Sequence, residues 1–153
     1  MRALIQRVTK SSVEVEGKIV GQIDNGLNLL LGFTETDTKE DVEYTAGKIA
    51  RMRIFSDEKG KMNLSLQDTG GQILAVSQFT LYANCRKGNR PSFTDSSAPE
   101  KAERLYDYFT FYLSENYGIG VEKGIFGADM KVSIENDGPV TIFFDSEIRN
   151  TPR

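Results

Sequence analysis

Two segments of the chain are apolar on both faces of an extended strand. They are LNLLLGF at 27–33 and QILAVSQFTLYA at 72–83. Side chains alternate between the faces of a strand, so a segment that is apolar at both odd and even positions has to be covered on both sides. These segments therefore predict central, buried strands, and the rest of the chain has to supply the elements that cover them.

The first third of the chain is patterned as further strands. Residues 2–8 form one candidate strand, and residues 12–16 alternate between polar and apolar side chains. Gly17 permits a turn into the KIVGQI segment. Asn25-Gly26 then lies between two strand-like runs, where this dipeptide is a strong signal for a hairpin. The pattern predicts a β-meander.

Two helices are predicted from apolar residues at helical spacing. The first covers 39–53, where Thr38 and Asp41 have the spacing of a capping box. The second begins with Ser97 as a candidate cap and Pro99 in the first turn, and Gly118 is its expected stop.

Near the C-terminus, KVSIE and VTIFFD read as a strand pair joined by a turn at 136–139. Together these elements predict an α+β fold with a mostly antiparallel sheet, curled toward a barrel and covered by two main helices. Residues 1–153 show no linker or repeat, so we expect a single domain.

The absence of histidine restricts the chemistry most. With no histidine and one cysteine, Cys85, the chain cannot build a Ser-His or Cys-His hydrolase or the usual zinc site. We therefore expect no metal and no other cofactor. The opening MRALIQRV lacks the pattern of a signal peptide, and no apolar run is long enough to span a bilayer, so a cytoplasmic protein without membrane contact is expected.

Several polar positions admit both a structural and a functional interpretation. Gln78 and Thr80 would share one face of the strand at 72–83, where they either have structural partners or line a pocket. The basic residues Arg86 and Lys87 follow that strand. They form a solvated loop or contact phosphates, although the net charge of −3 argues against broad binding to a nucleic-acid backbone.

Two other segments have the same ambiguity. Phe126 and Met130 belong to the core or provide a surface on which a base stacks. The turn residues at 136–139 are ordinary turn chemistry on their own.

Four motifs together resemble the D-aminoacyl-tRNA deacylases. They are MRxxxQRV at the start, SQFTLYA at 77–83, GxFGAxM at 124–130 and NDGPVT at 136–141. The resemblance spans nearly the whole chain. It implies an esterase that hydrolyses D-aminoacyl-tRNA as chiral proofreading, and that also acts on glycyl-tRNA mischarged on tRNA-Ala.

The resemblance also assigns roles to residues. Ser77, Gln78, Phe79 and Thr80 would line the pocket around the ester at the 3′ end of tRNA. In a homodimer with active sites at the interface, Gly138 and Pro139, joined by a cis peptide, would enter the partner's pocket and reject L-amino acids by steric exclusion.

The mechanism and two alternative functions stay open at the level of sequence. Thr80 is one candidate nucleophile, but it has no histidine to accept its proton. Water assisted by the 2′-hydroxyl of the terminal ribose is the alternative that we favour. The other functions are a sister deacylase for a mischarged L-amino acid and a non-catalytic module that binds RNA ends.

Overall fold

A computed structural model describes all residues, 1–153. The regular elements, in chain order, are β1 Arg2–Val15, β2 Lys18–Ile23, β3 Gly26–Gly32, α1 Lys39–Arg51, β4 Phe55–Ser56, β5 Met62–Leu64, α2 Leu66–Thr69, β6 Gln72–Ser77, a 3-10 turn at Phe79–Tyr82, α3 Pro99–Tyr117, β7 Val121–Lys123, β8 Lys131–Asp145 and a 3-10 turn at Ser146–Asn150.

Strand β1 is the centre of the sheet. It pairs antiparallel with β3 through Arg2–Val8 and with β2 through Ser11–Val15, so these two strands occupy successive halves of one edge. Its other edge pairs antiparallel with β8. The hairpin predicted at Asn25-Gly26 is therefore wrong, because β2 and β3 both pair with β1 and not with each other.

Gly26 is required for a different reason, the close approach of β6. In the parallel pairing of β3 with β6, Gly26 lies opposite Gln72. A Cβ atom at position 26 would lie 1.8 Å from the carbonyl oxygen of Gln72, which no side chain can tolerate. A glycine in a strand often marks such a close contact between backbones. In the sequence, the Asn25-Gly26 dipeptide has the same appearance whether Gly26 forms a turn or makes such a contact.

The remaining strands turn the sheet into a barrel-like structure. β6 pairs in parallel with β3 and with β7. β2 and β7, at the two ends of the strand order, pack against each other and nearly close the sheet. Helices α1 and α3 cover the outer face of the sheet, where the main hydrophobic core lies. The predicted α+β fold with a sheet curled toward a barrel and two main helices is confirmed.

A second, smaller core fills the inside of the curled sheet. Its buried residues are Val8, Val13, Ile23, Leu74 and Val76. Because both faces of β6 are covered, its residues Ile73–Val76 are all buried, as the apolar pattern predicts.

The caps of the helices are partly as expected. The carboxylate of Asp41 accepts a hydrogen bond from the backbone N–H of Thr38, as in a capping box, and a second one from the hydroxyl of Thr38. Gly118 ends α3 in the left-handed conformation, at φ +62°. Ser97 does not cap α3. Ala98 holds the cap position, and the hydroxyl of Ser97 donates to Glu35 instead.

Two strands differ from their predicted extent. β6 ends at Ser77 and the chain then enters the 3-10 turn, so the strand predicted over 72–83 is only half as long. The predicted hairpin at 136–139 is absent, because β8 runs along β1 on both sides of this segment. Residues 137–140 leave the ladder as a bulge opposite Arg7, between the Val8–Asn136 and Gln6–Thr141 pairs.

No helix in the chain combines the length and the apolar character that crossing a membrane requires.

Candidate active site

A pocket of about 350 Å³ lies where β6 and β7 end. One wall comes from the end of β6 and the residues after it, and a second from the start of α3. The third wall comes from the segment between β7 and β8. The lining residues are Val76, Ser77, Gln78, Phe79, Ser97, Pro99, Ala102, Phe126, Gly127, Ala128, Met130 and Val132. None of these side chains is ionisable, so hydroxyl, amide and backbone groups provide all the polarity.

Gln78 and Thr80 are hydrogen-bonded to each other beside this pocket. The side-chain amide of Gln78 donates to the hydroxyl oxygen of Thr80. The 3-10 turn removes Thr80 from the strand, and Thr80 does not itself line the pocket. This hydrogen bond occupies one lone pair of the Thr80 hydroxyl, which is then less available for attack on an ester carbonyl. The contact therefore favours a supporting role for Thr80.

The turn Phe79–Tyr82 offers backbone donors at the edge of the pocket. In a 3-10 helix the bonds join residues three apart, so the turn itself contains no acceptor for the N–H groups of Phe79 and Thr80. N–H groups at such a helix start attract negative charge. They are suited to a developing oxyanion.

Arg2 supports the other end of this turn. Its guanidinium donates to the carbonyl oxygen of Leu81 at 2.9 Å and lies 4.4 Å from the centre of the Tyr82 ring. A second hydrogen bond, from Nε at 3.0 Å, joins Arg2 to Asp145. Burial raises the pKa of the Tyr82 phenol well above its usual range, so Tyr82 stays neutral here.

Phe126 and Met130 lie together in the wall formed by the segment between β7 and β8. The ring of Phe126 packs at 6.1 Å from the ring of the buried Tyr106, whose hydroxyl donates to the carbonyl oxygen of Ala75 at 2.7 Å. Phe126 thus contacts the core on one side and the pocket on the other, and the structural and functional interpretations of this residue are compatible.

The basic residues Arg86 and Lys87 are exposed and stay outside the pocket. They line a separate cleft of about 210 Å³ with Asn84 and Ser92. The backbone N–H of Arg86 donates to the side chain of Asn84 at 2.9 Å. No carboxylate lines this cleft, which leaves both cations available to an anionic ligand.

Asn136 closes the bulge at 137–140. Its amide nitrogen donates to the carbonyl oxygens of Arg7 at 2.9 Å and Val140 at 3.0 Å, while its side-chain oxygen accepts from Thr141 at 3.0 Å. The motif that begins with this asparagine therefore builds a loop that projects from a continuous strand.

Gly138 and Pro139 lie exposed at the tip of the bulge, joined by a cis peptide bond. Gly138 has a φ of +118°, and a Cβ atom there would lie 3.0 Å from Nη2 of Arg7. Neither residue lines the pocket of its own chain. The structure thus unites Ser77, Gln78 and Phe79 with Phe126 and Met130, but it leaves Gly138 and Pro139 apart from them.

The sequence alone assigned no functional role to three groups that the structure brings into contact with these elements. Arg2 and Arg7 belong to the MRxxxQRV motif, and their charge in the mostly apolar start of the chain could have singled them out. The sequence predicts only a capping role for Ser97 and the start of α3, whereas in the structure both line the pocket. A larger cleft of about 450 Å³ lies between β1, β2 and β8, but its lining is an open strand surface that contains none of the predicted site residues.

Comparisons with known proteins agree on one family. Residues 4–145 match the family model described as D-Tyr-tRNA(Tyr) deacylase. A D-aminoacyl-tRNA deacylase of Thermosipho melanesiensis is 57% identical over 147 residues, which cover 96% of this chain and 98% of the relative. A protein of the same name from Brevibacillus brevis is 56% identical, over 95% of this chain and all of the relative.

A solved structure of a c-Myc DNA unwinding element binding protein has the same fold. Its TM-score is 0.90 at 42% identity, and the match covers 95% of this chain and 98% of that one.

Proposed function

The chain belongs to the D-Tyr-tRNA(Tyr) deacylase family, and we propose that it hydrolyses the ester bond between a D-amino acid and the 3′ end of tRNA. The protein is a carboxylic ester hydrolase of the D-aminoacyl-tRNA deacylase type. The observation that carries the proposal is the pocket beside the Phe79–Tyr82 turn, which joins backbone donors to an aromatic wall.

In the proposed mechanism, water attacks the ester carbonyl and the 2′-hydroxyl of the terminal ribose assists the proton transfer. The N–H groups of Phe79 and Thr80 stabilise the oxyanion that forms. The pocket lining contains no ionisable side chain to serve as base, which supports a role for the substrate in proton transfer. Thr80, with its hydroxyl engaged by Gln78, positions the turn.

The 3′ end of tRNA would lie along the pocket. Phe126 and Met130 provide the aromatic and thioether surface on which the terminal base stacks, since stacking is favourable for any base. Arg86 and Lys87, in the cleft beyond the turn, would contact one or two backbone phosphates. A local basic cleft of this kind is compatible with the net charge of −3.

Selection against L-amino acids would come from the partner subunit in a homodimer. Gly138 and Pro139 project from β8 and leave the pocket of their own chain open, so a second copy can insert its loop there. Backbone carbonyls of the loop would face the α-amino group and leave no volume for an L side chain. Glycine has no side chain to exclude, so glycyl-tRNA mischarged on tRNA-Ala would also be a substrate. Because charged tRNA is used in translation, we place the protein in the cytoplasm.

The test compares hydrolysis of D-tyrosyl-, glycyl- and L-alanyl-tRNA by purified protein whose oligomeric state is measured in parallel. We expect the first two substrates to be cleaved and the third to survive. Dilution to the monomer should lower activity, because each site would lose the partner's loop.

The outcomes separate the alternative functions. Cleavage of L-alanyl-tRNA as fast as the D substrate would contradict steric rejection and favour the sister deacylase. Tight binding of RNA ends without turnover would contradict the enzyme and favour a non-catalytic module.

A further inference from the structure

The segment that follows the Phe79–Tyr82 turn is fastened at both of its ends. Asn84 and Ser92 exchange two backbone hydrogen bonds, of 2.8 and 2.9 Å, which hold the base of the basic loop together. At its return end, the N–H of Ser97 donates to the carbonyl oxygen of Phe33 at 2.9 Å. Ser96, next to this anchor, is therefore held at a fixed position beside the turn.

The hydroxyl of Ser96 contacts the peptide unit that the proposed mechanism uses. It donates to the carbonyl oxygen of Phe79 at 2.9 Å. That oxygen and the N–H of Thr80 belong to one planar trans peptide, in which they point in opposite directions. A hydrogen bond that fixes the carbonyl therefore also fixes the direction of the N–H.

The side chain of Phe79 is held by the same segment. Its ring packs edge-on against the ring of Phe93, with the centroids 5.1 Å apart and an interplanar angle of 71°. Phe79 is otherwise 59% exposed, so its ring has little core to hold it. The carbonyl and the side chain of Phe79 are thus both positioned from residues 93–96.

We propose that Ser96 is a positioning residue that holds the Phe79–Thr80 peptide so that the Thr80 N–H points at the oxyanion. The hydrogen bond from Ser96 also polarises the peptide, because hydrogen bonds in a chain strengthen one another, and so makes the N–H a better donor. This role rests on the proposed function. It assigns a part in the reaction to Ser96, which does not itself line the pocket.

The test is steady-state hydrolysis of D-tyrosyl-tRNA by Ser96→Ala. Removing an oxyanion donor lowers kcat by about 10²–10³-fold, so loosening one should lower kcat by roughly 10-fold, with KM unchanged. Ser96→Thr keeps the hydroxyl and should restore kcat. Thr94→Ala is the matched control, because it removes a hydroxyl from the same segment that contacts only the hydroxyl of Ser92, at 3.3 Å, and that lines neither the pocket nor the basic cleft.

A second readout follows the backbone directly. The amide ¹H–¹⁵N resonance of Thr80 should shift in Ser96→Ala and keep its position in Thr94→Ala. Wild-type kcat in Ser96→Ala, or an equal loss of kcat in both alanine variants, would overturn the positioning role while leaving the proposed function intact. Wild-type protein without any hydrolysis would instead contradict the proposed function itself.

Discussion

The Nε atom of Arg7 lies 3.3 Å from a carboxylate oxygen of Asp137, so an ion pair joins the middle of β1 to the bulge opposite it. The Nε–H is not aligned for a hydrogen bond with that oxygen, and the contact is therefore mainly Coulombic. The same guanidinium donates to the carbonyl oxygen of Ile54 at 2.8 Å. Arg7 is only 12% exposed, so its charge supports the bulge from the interior side.

Arg7→Met should destabilise the protein and disturb the bulge. It leaves the Ile54 carbonyl without its donor and Asp137 without its cation, and one unpartnered buried group costs about 1–3 kcal/mol. The measurement is urea unfolding together with D-tyrosyl-tRNA hydrolysis. The control is Lys10→Met in the same strand, since the Lys10 side chain is 71% exposed and its pair with Glu135 is a surface ion pair of small value. Equal unfolding curves for both variants would contradict the supporting role of Arg7.

Gly138→Ala should impair activity more than stability. Position 138 has φ +118°, where an L residue is strained, and the new methyl group would lie 3.0 Å from Nη2 of Arg7. We expect a cost of about 1–3 kcal/mol, which the bulge relieves by moving. Gly88→Ala is a suitable control, because it is also a positive-φ glycine but has open space around it. Hydrolysis of D-tyrosyl-tRNA at wild-type rate by Gly138→Ala would show that the position of the bulge is irrelevant.

Thr80→Ala should keep appreciable activity, within roughly 10-fold of wild type, if the residue only supports the turn. Removing a true nucleophile lowers kcat by about 10⁶-fold in a serine protease. Single-turnover hydrolysis followed by mass spectrometry of the quenched protein distinguishes the two cases. An acyl group trapped on Thr80 would establish covalent catalysis and exclude direct attack by water.

Metal removal should leave turnover unchanged. No group of three or more histidine, cysteine, aspartate or glutamate side chains lies close enough together to hold a metal ion. Cys85 is exposed and does not line the pocket, so Cys85→Ala should also be active. The measurement is hydrolysis after EDTA treatment, and loss of activity that a divalent cation restores would contradict this prediction.

Asp41 should make stability depend on pH in the acid range. Burial alone would raise the pKa of this carboxyl, but hydrogen bonds from Thr38 and the nearby charge of Arg149 outweigh burial and lower it. A lowered pKa in the folded state means that the stabilisation is present above the unfolded pKa, about 3.9, and is lost as pH falls through the folded value. Asp41→Asn should therefore cost about 1 kcal/mol at pH 7, because a neutral amide accepts the hydrogen bonds from Thr38 less strongly than a carboxylate does.

The stability difference between wild type and Asp41→Asn should narrow below about pH 4. Glu40→Gln is the matched control, because Glu40 is 80% exposed and lies 3.9 Å from Arg149. Thermal unfolding from pH 2 to 7 provides the measurement, and a difference that stays constant over this range would rule out the linkage.

Local patterns predicted the parts of the fold that depend on local physics. The capping box of Thr38 and Asp41 and the stop at Gly118 were predicted because each is decided within a few residues. The hairpin at Asn25-Gly26 was wrong because the reason for Gly26 is Gln72, far away in the sequence. A sequence read in short windows does not distinguish a turn from a close contact between distant strands.

The candidate site also combines features that local sequence predicts with features that depend on contacts between distant segments. Ser77, Gln78 and Phe79 could be placed near one another from their order in the chain. Their proximity to Phe126 depends on the parallel pairing of β6 with β7, which no periodicity encodes. The hydrogen bond from Arg2 to the carbonyl oxygen of Leu81 likewise depends on contacts between distant segments, which no periodicity encodes.

The pocket lies at the edge where β6 and β7 end, whereas the ladders of β1 hold the register of the sheet. Loops at the ends of parallel strands can change while the strands behind them keep their pairing. Residues 85–91, outside the Asn84–Ser92 hydrogen bonds and the core, are therefore the place where a mutant library could alter the range of accepted RNA ends at little risk to folding. Diversity introduced into β1 would instead disturb three partner strands at once.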